Sequence, residues 1–381
     1  MGRSLLTNFI LIFIVFSLLT GCQEEDLQTQ PSVSSNSEKP SSDQAIEKRN
    51  NGHSDRKTLP LELKEDQFEF MIGWLNNETI LYCENLNGAY VISSYHIYTG
   101  EKEEMYTSEL PIIQAVLSPS KTKILIHTSP TIYEADVKIV SLQNDKLIFH
   151  DIIESSEISF TWNGYDESKI FAVAFYDDWS FSTYILNIEE QTRAETKVPY
   201  PFAIWQNSNS LLTLDWDHES PETTAPILSI TNGESESVLN DRNFYFLYGW
   251  EGLFLAISLN KFDDSLADFN FYNEKLELIQ TIQFPYLTEY SSWEIPRFNL
   301  VADDMFFIVA PKTSGEADNY DGGFDLIKID LKDGSQDILI EDVANEPIQS
   351  SPDGNLILYG YQYEHVINVN NKNIERILIF N

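Results

Sequence analysis

Two short stretches of this chain bring together the kinds of side chain that chemistry needs. In Asp215-Trp216-Asp217-His218, carboxylates two residues apart point to the same side of an extended backbone, and the imidazole beside them can shuttle a proton. Glycoside hydrolysis sets its two carboxyls across the substrate from different elements, so one local cluster falls short of a catalytic signature, and Trp216 reads first as a packing residue. The second stretch, Asp318-Asn-Tyr-Asp321-Gly-Gly-Phe-Asp325, offers three carboxylates and Asn319 around a glycine pair. Hard oxygen ligands of that kind suit Ca²⁺, the one cofactor the sequence suggests, although the spacing is not that of an EF-hand loop.

Other chemistries find no residues to work with. There is no Gly-x-Ser-x-Gly elbow, phosphate-cradling glycine loop or His-Glu-x-x-His helix. The six histidines stand singly along the chain, and the two cysteines are Cys22 and Cys83, which argues against a zinc or haem site. Cys83 ends an apolar run and is expected to be a buried thiol.

The N-terminus gives the address. Arg3 precedes an apolar run from Phe9 to Leu19 that ends in Leu19-Thr20-Gly21-Cys22. At about 11 residues the run is too short to cross a ~30 Å hydrocarbon core, and it stops at small residues as a cleaved signal does. Residues 1–21 are therefore expected to be a lipoprotein signal peptide and Cys22 the lipidated N-terminus, anchored stably in the bilayer by more than one acyl chain. Residues 22–59 are rich in Ser, Gln, Glu, Asn and Lys and nearly devoid of aliphatic side chains. Such a segment reads as a flexible tether, with a mean reach of roughly 30–40 Å. It would hold a folded domain, residues 60–381, clear of the extracytoplasmic face of the cell membrane.

The elements that must position the candidate residues are strands. Runs such as Thr79-Ile-Leu-Tyr-Cys83, Lys123-Ile-Leu-Ile-His127 and Asn355-Leu-Ile-Leu-Tyr359 are short, β-rich and bounded by turn residues. Seven times a polar corner leads into such a run, at Ile80, Ile124, Ile170, Leu211, Phe254, Phe306 and Leu356. The markers stand roughly 40 to 50 residues apart, and after each a strand, a polar turn and another strand follow. Four strands per unit at this period predict an all-β chain folded as a β-propeller of about seven four-stranded blades, with six as the alternative if an end unit is incomplete. Closure would require a strand near residues 61–70 to pair beside the last unit, whose final strand is expected over 375–380.

Charge and loop position then narrow the partners. The chain carries 60 acidic against 24 basic residues, a net charge of −36. A field of that sign repels nucleic acid and anionic lipid, leaving cations, neutral sugars and basic peptides. In a propeller the second-to-third connections share one face with the blade-to-blade connections. Those connections hold Asp177, Asp178 and Trp179, then Asp215, Trp216 and Asp217, then Asp263 and Asp264, and finally the 318–325 stretch. Lys102, Lys146, Lys275, Lys332 and Lys372 fall on the opposite face. Carboxylates interleaved with aromatic rings make the acidic face the expected binding face.

The Ser351-Pro-Asp-Gly354 corner, with a shorter copy at Ser118-Pro119-Ser120, resembles the TolB-type and WD40-like propeller repeat. With the lipobox, the serine-rich tether and the opening Ile72-Gly-Trp-Leu-Asn-Asn77, the chain is similar over essentially its whole length to the YqgU-type lipoproteins of Gram-positive bacilli. The resemblance implies a propeller and a lipid anchor, and it supplies no activity and no catalytic residue. The expectation is a monomeric, membrane-anchored binding or scaffold module for an envelope protein or glycan. An envelope hydrolase or lyase using carboxylates of the acidic face is the competing class.

Overall fold

The computed structural model describes residues 56–381, apart from 218, 220–221, 290–291 and 302–303. Cys22, the signal segment and nearly all of the expected tether lie outside the described residues, as does His218.

The described residues form seven four-stranded antiparallel sheets, each running from its innermost to its outermost strand in chain order. We number these blades 1 to 7; they span residues 68–108, 112–154, 157–196, 204–238, 246–285, 297–343 and 348–376. All seven markers lie on second strands: Thr79–Leu86, Lys123–Thr131, Lys169–Phe175, Ser210–Leu214, Leu253–Leu259, Met305–Pro311 and Leu356–Tyr359. These strands read as near-continuous apolar runs because each is covered on both faces by neighbouring blades. In blade 1, Leu81 and Cys83 pack toward blade 2, whereas Ile80 and Tyr82 pack toward blade 7.

Seven hydrophobic clusters fill the seven blade-to-blade interfaces, including the one that joins blade 7 to blade 1. The ring is therefore closed, and no blade leaves a face bare. A repeated latch reinforces it. The tryptophan ending an inner strand donates its indole N–H to a main-chain carbonyl on the inner strand of the preceding blade: Trp74 to Gln349 at 3.0 Å, Trp162 to Val116 at 3.4 Å and Trp205 to Thr161 at 3.0 Å. Trp250 also ends an inner strand, in blade 5, but it stands one register position on: it pairs with Leu253 and packs against the cluster between blades 5 and 6, and its buried Nε1 has no hydrogen-bond partner. The residue that matches the latch tryptophans in register is Gly249, paired with Phe254 and lying against Ile204 of blade 4.

Closure differs in detail from the expected strand addition. The expected C-terminal strand is divided at Ile377 into Asn373–Arg376, the outer strand of blade 7, and Leu378–Phe380. The latter pairs in parallel with Leu61–Leu63 as a separate two-stranded sheet, with Leu61, Ile377 and Leu378 fully buried. Folded contacts also begin earlier than residue 60. Thr58 donates from its backbone N–H to Glu375 at 3.0 Å, and the Arg56 guanidinium lies 4.0 Å from the Tyr98 ring centroid. At the same seam Gly73, at φ +126°, lets the Gln349 side chain approach: a Cβ there would meet Oε1 at 2.1 Å.

Candidate binding face

The antiparallel order puts the second-to-third connections and the blade-to-blade connections on one face of the ring, and the two other sets of turns on the opposite face. The turns of the opposite face are short and locally bonded. In blade 7, for example, Ser351 Oγ accepts from Leu356 N at 3.0 Å, and Ser118 does the same for Lys123 at 3.2 Å in blade 2. Such side-chain-to-backbone turns explain why the corners were visible in sequence.

The loop face carries a feature that sequence reasoning missed. Large apolar side chains stand exposed there: Ile132 (74%) and Tyr133 in blade 2, Trp179 (60%) in blade 3, Phe202 (62%) between blades 3 and 4, Phe262 (97%) in blade 5 and Tyr361 in blade 7. Leu110, Ile113 and Leu259 join them. The remaining exposed large hydrophobics are Leu59 and residues of outer strands such as Leu147, Leu278, Ile338 and Ile374. None of these exposed side chains belongs to a turn of the opposite face.

The acidic residues on this face act largely as braces for the loops that raise those side chains. Asp178 accepts from Ser180 N at 3.0 Å and Ser180 Oγ at 2.6 Å, bonds that hold its carboxyl below the usual carboxylate range. The loop closes so tightly that Trp179 adopts φ +70°, a conformation costing about 1–2 kcal/mol for a residue with a Cβ. Asp177 accepts from Ser156 Oγ at 2.6 Å, tying blade 3 to the connection from blade 2. Blade 5 repeats the device: Asp263 accepts from Ser265 N and Oγ at 2.9 and 2.6 Å, and Asn260 Oδ1 accepts from Phe262 N at 2.9 Å beneath the exposed ring. Asp264 is exposed, and its carbonyl receives Tyr286 OH at 2.9 Å.

Asp215 and Asp217 are exposed, and both carboxylates add to burial in raising the Tyr200 phenol. Trp216 packs against the core between blades 4 and 5, and its carbonyl accepts from Tyr200 OH. The residues around Asp318 are organised differently from an ion-binding loop. Residues 315–316 pair in parallel with Leu287–Glu289, residues 317–319 form a 3₁₀ turn, and Tyr320 OH donates to the Gly323 carbonyl at 2.9 Å. Asp318 and Asp321 are exposed, whereas Asp325 shares Lys312, at 3.3 Å, with Asp342, at 2.6 Å. The glycine pair is packed as well, with Gly322 against the Tyr320 ring and Gly323 against Asp342. Among the described residues no group of three or more His, Cys, Asp or Glu is arranged to hold a metal ion.

A second group escaped the sequence because its members are far apart in the chain. Glu294, between blades 5 and 6, accepts from Asn345 Nδ2 at 2.9 Å, and burial pushes its carboxyl up. Glu346 is raised by burial and then by Glu364 nearby, while burial takes the Tyr359 phenol up to about 12. The recess lined by Tyr286, Leu287, Glu294, Pro296, Phe324 and Asn345 has a volume of only about 10 Å³, room for a single water.

This fold and face can be set beside known proteins. Residues 96–360 match a family described as the YqgU-like 6-bladed beta propeller domain. The match opens on the last residue of blade 1's third strand and closes in blade 7, so it cuts two of the seven sheets counted here. The uncharacterized lipoprotein YqgU of Bacillus subtilis is 24% identical over 375 residues, covering 97% of this chain and 96% of that protein. An uncharacterized protein of Listeria monocytogenes superimposes with a TM-score of 0.78 at 19% identity, covering 85% of this chain and 98% of its own. The β-propeller domain of the Trilobed protease of Pyrococcus furiosus follows at a TM-score of 0.52 and 13% identity, over 82% of this chain and 97% of that one. These structural likenesses speak to the fold. With the profile matching more than half of its length, the chain belongs to the YqgU-like β-propeller family.

Proposed function

We propose that this protein is a membrane-tethered binding or scaffold module, held at the extracytoplasmic face by acylated Cys22 and presenting its loop face to an envelope protein or glycan. One observation carries the reading: exposed apolar and aromatic side chains collect on the loop face, on loops stiffened by hydrogen bonds. Rigid, exposed apolar side chains gathered on one face are the mark of an interaction surface rather than of solvation. The anchor rests on Leu19-Thr20-Gly21-Cys22 and on the lipoprotein name of the Bacillus relative. Cys22→Ala tests it: the variant should lose fatty-acid labelling and leave the membrane fraction, and normal labelling would refute the anchor.

A second reading, a carbohydrate-active hydrolase or lyase, is favoured by Glu294 and Glu346, since a carboxyl raised by burial can serve as a general acid. The recess beside Glu294 admits a water and not a sugar ring, which weighs against it. Incubating the full-length protein with envelope polysaccharide should release no new reducing or unsaturated ends. A product that disappears in Glu294→Gln would establish the enzyme instead.

A further inference from the structure

We infer that the arc of the loop face over blades 2 to 4 is a docking surface for a protein partner that presents basic side chains around an apolar patch. The inference rests on the binding-module reading and names the class of its partner.

The arc is continuous. Tyr133 in blade 2 accepts at its carbonyl from Ser155 N at 3.0 Å, and the adjoining Ser156 bonds Asp177 beside Trp179. Phe175, ending the second strand of blade 3, lies 6.5 Å from the Phe202 ring. The carbonyl of Phe202 receives Thr213 Oγ1 at 3.3 Å, and two residues before it Tyr200 reaches Trp216 between Asp215 and Asp217. The loops that carry exposed Ile132, Tyr133, Trp179 and Phe202 are thus joined across three blades, with exposed carboxylates among them. In the stretches that build the arc, 132–133, 155–156, 175–180, 197–203 and 215–217, Lys197 is the one basic residue against Asp177, Asp178, Asp215 and Asp217.

That pattern selects among occupants. Ile132 and Phe202 at 74% and 62% exposure offer apolar area and no hydrogen bonds, which suits another protein's apolar patch better than a sugar's hydroxyls. A second copy of this chain would bring a net charge of −36 against the same sign, and anionic lipid is repelled for the same reason. Basic side chains flanking an apolar centre satisfy both features: the apolar centre supplies affinity, and the charges steer encounter. Trp179 is offered as the anchor on a loop already braced by the Asp178–Ser180 bonds, so little backbone ordering is needed on contact.

The test uses the full-length lipoprotein in its own membrane. p-Benzoylphenylalanine replaces Tyr133, Trp179 or Phe202 on the arc, or Gln143 or Lys275 on the opposite face, and adducts are identified by mass after irradiation. The expected result is one protein adduct common to the three arc positions and absent from the two controls. Binding of that purified protein should weaken several-fold between about 0.05 and 0.5 M NaCl, and at least about tenfold in Trp179→Ser. Adducts to lipid, to glycan or to a second copy would overturn the inference, as would a protein partner whose binding is indifferent to salt. Adducts at Gln143 or Lys275 alone would overturn it while leaving a binding module. No adduct at any position would overturn both.

Discussion

The indole latches allow a matched set of substitutions whose outcomes should diverge. Trp74→Phe, Trp162→Phe and Trp205→Phe each remove an N–H bonded to the preceding blade, together with part of a buried ring. The lost bond is worth about 1 kcal/mol net, and the smaller ring about a further 1–2 kcal/mol. Trp74, 2% exposed and at the blade 7 to blade 1 seam, should therefore lose about 2–3 kcal/mol. Trp250→Phe removes a buried N–H that has no partner, which relieves a desolvation cost of about 1–3 kcal/mol and offsets the packing loss. Its net change should lie near zero. Thermal unfolding followed by near-ultraviolet circular dichroism reads the contrast as a drop of roughly 4–6 °C for Trp74→Phe against little change for Trp250→Phe. Equal drops for both would show that ring size alone matters and would refute the latch.

Two further outcomes follow from the seam and the core. Deleting residues 377–381 removes the buried Ile377 and Leu378 and strips Leu61–Leu63 of its partner strand, so the melting temperature should fall, reflecting about 3–6 kcal/mol of lost burial; an unchanged melt would contradict closure through this pair. Burial takes the His127 imidazole down to about 4, so the unfolded chain binds the extra proton between pH ~6.5 and ~4 and stability should decline as pH falls through that window, by up to about 3 kcal/mol. Urea midpoints against pH should show a shallower decline in His127→Leu, and parallel profiles would refute the assignment.

The parts of this architecture that show in sequence are those decided locally or by burial on two sides. Second strands such as Lys123–Thr131 are apolar at consecutive positions because both faces are covered, and corners such as Ser118 and Ser351 bond their own backbone within a few residues. What the sequence conceals is long-range. Nothing local distinguishes Leu378–Phe380 as the parallel partner of Leu61–Leu63, and Glu294 meets Asn345 from 51 residues away. The apolar loop face was hidden for a related reason. Ile132 and Ile126 are the same residue type on the same strand–loop segment, and only the ring places Ile126 between blades and Ile132 in solvent. The acidic residues were conspicuous by type, yet Asp178 and Asp263 brace loops, and Asp325 shares Lys312 with Asp342.

The claim that the loop face is the working surface is tested most directly by hydroxyl-radical footprinting of the full-length protein, in its native membrane and after purification. Ile338 and Ile374 on outer strands serve as exposed references. Tyr133, Trp179 and Phe202 should oxidise several-fold more slowly in the membrane than in the purified protein, while the references stay unchanged. Equal oxidation of the loop-face and reference residues in both states would contradict the account.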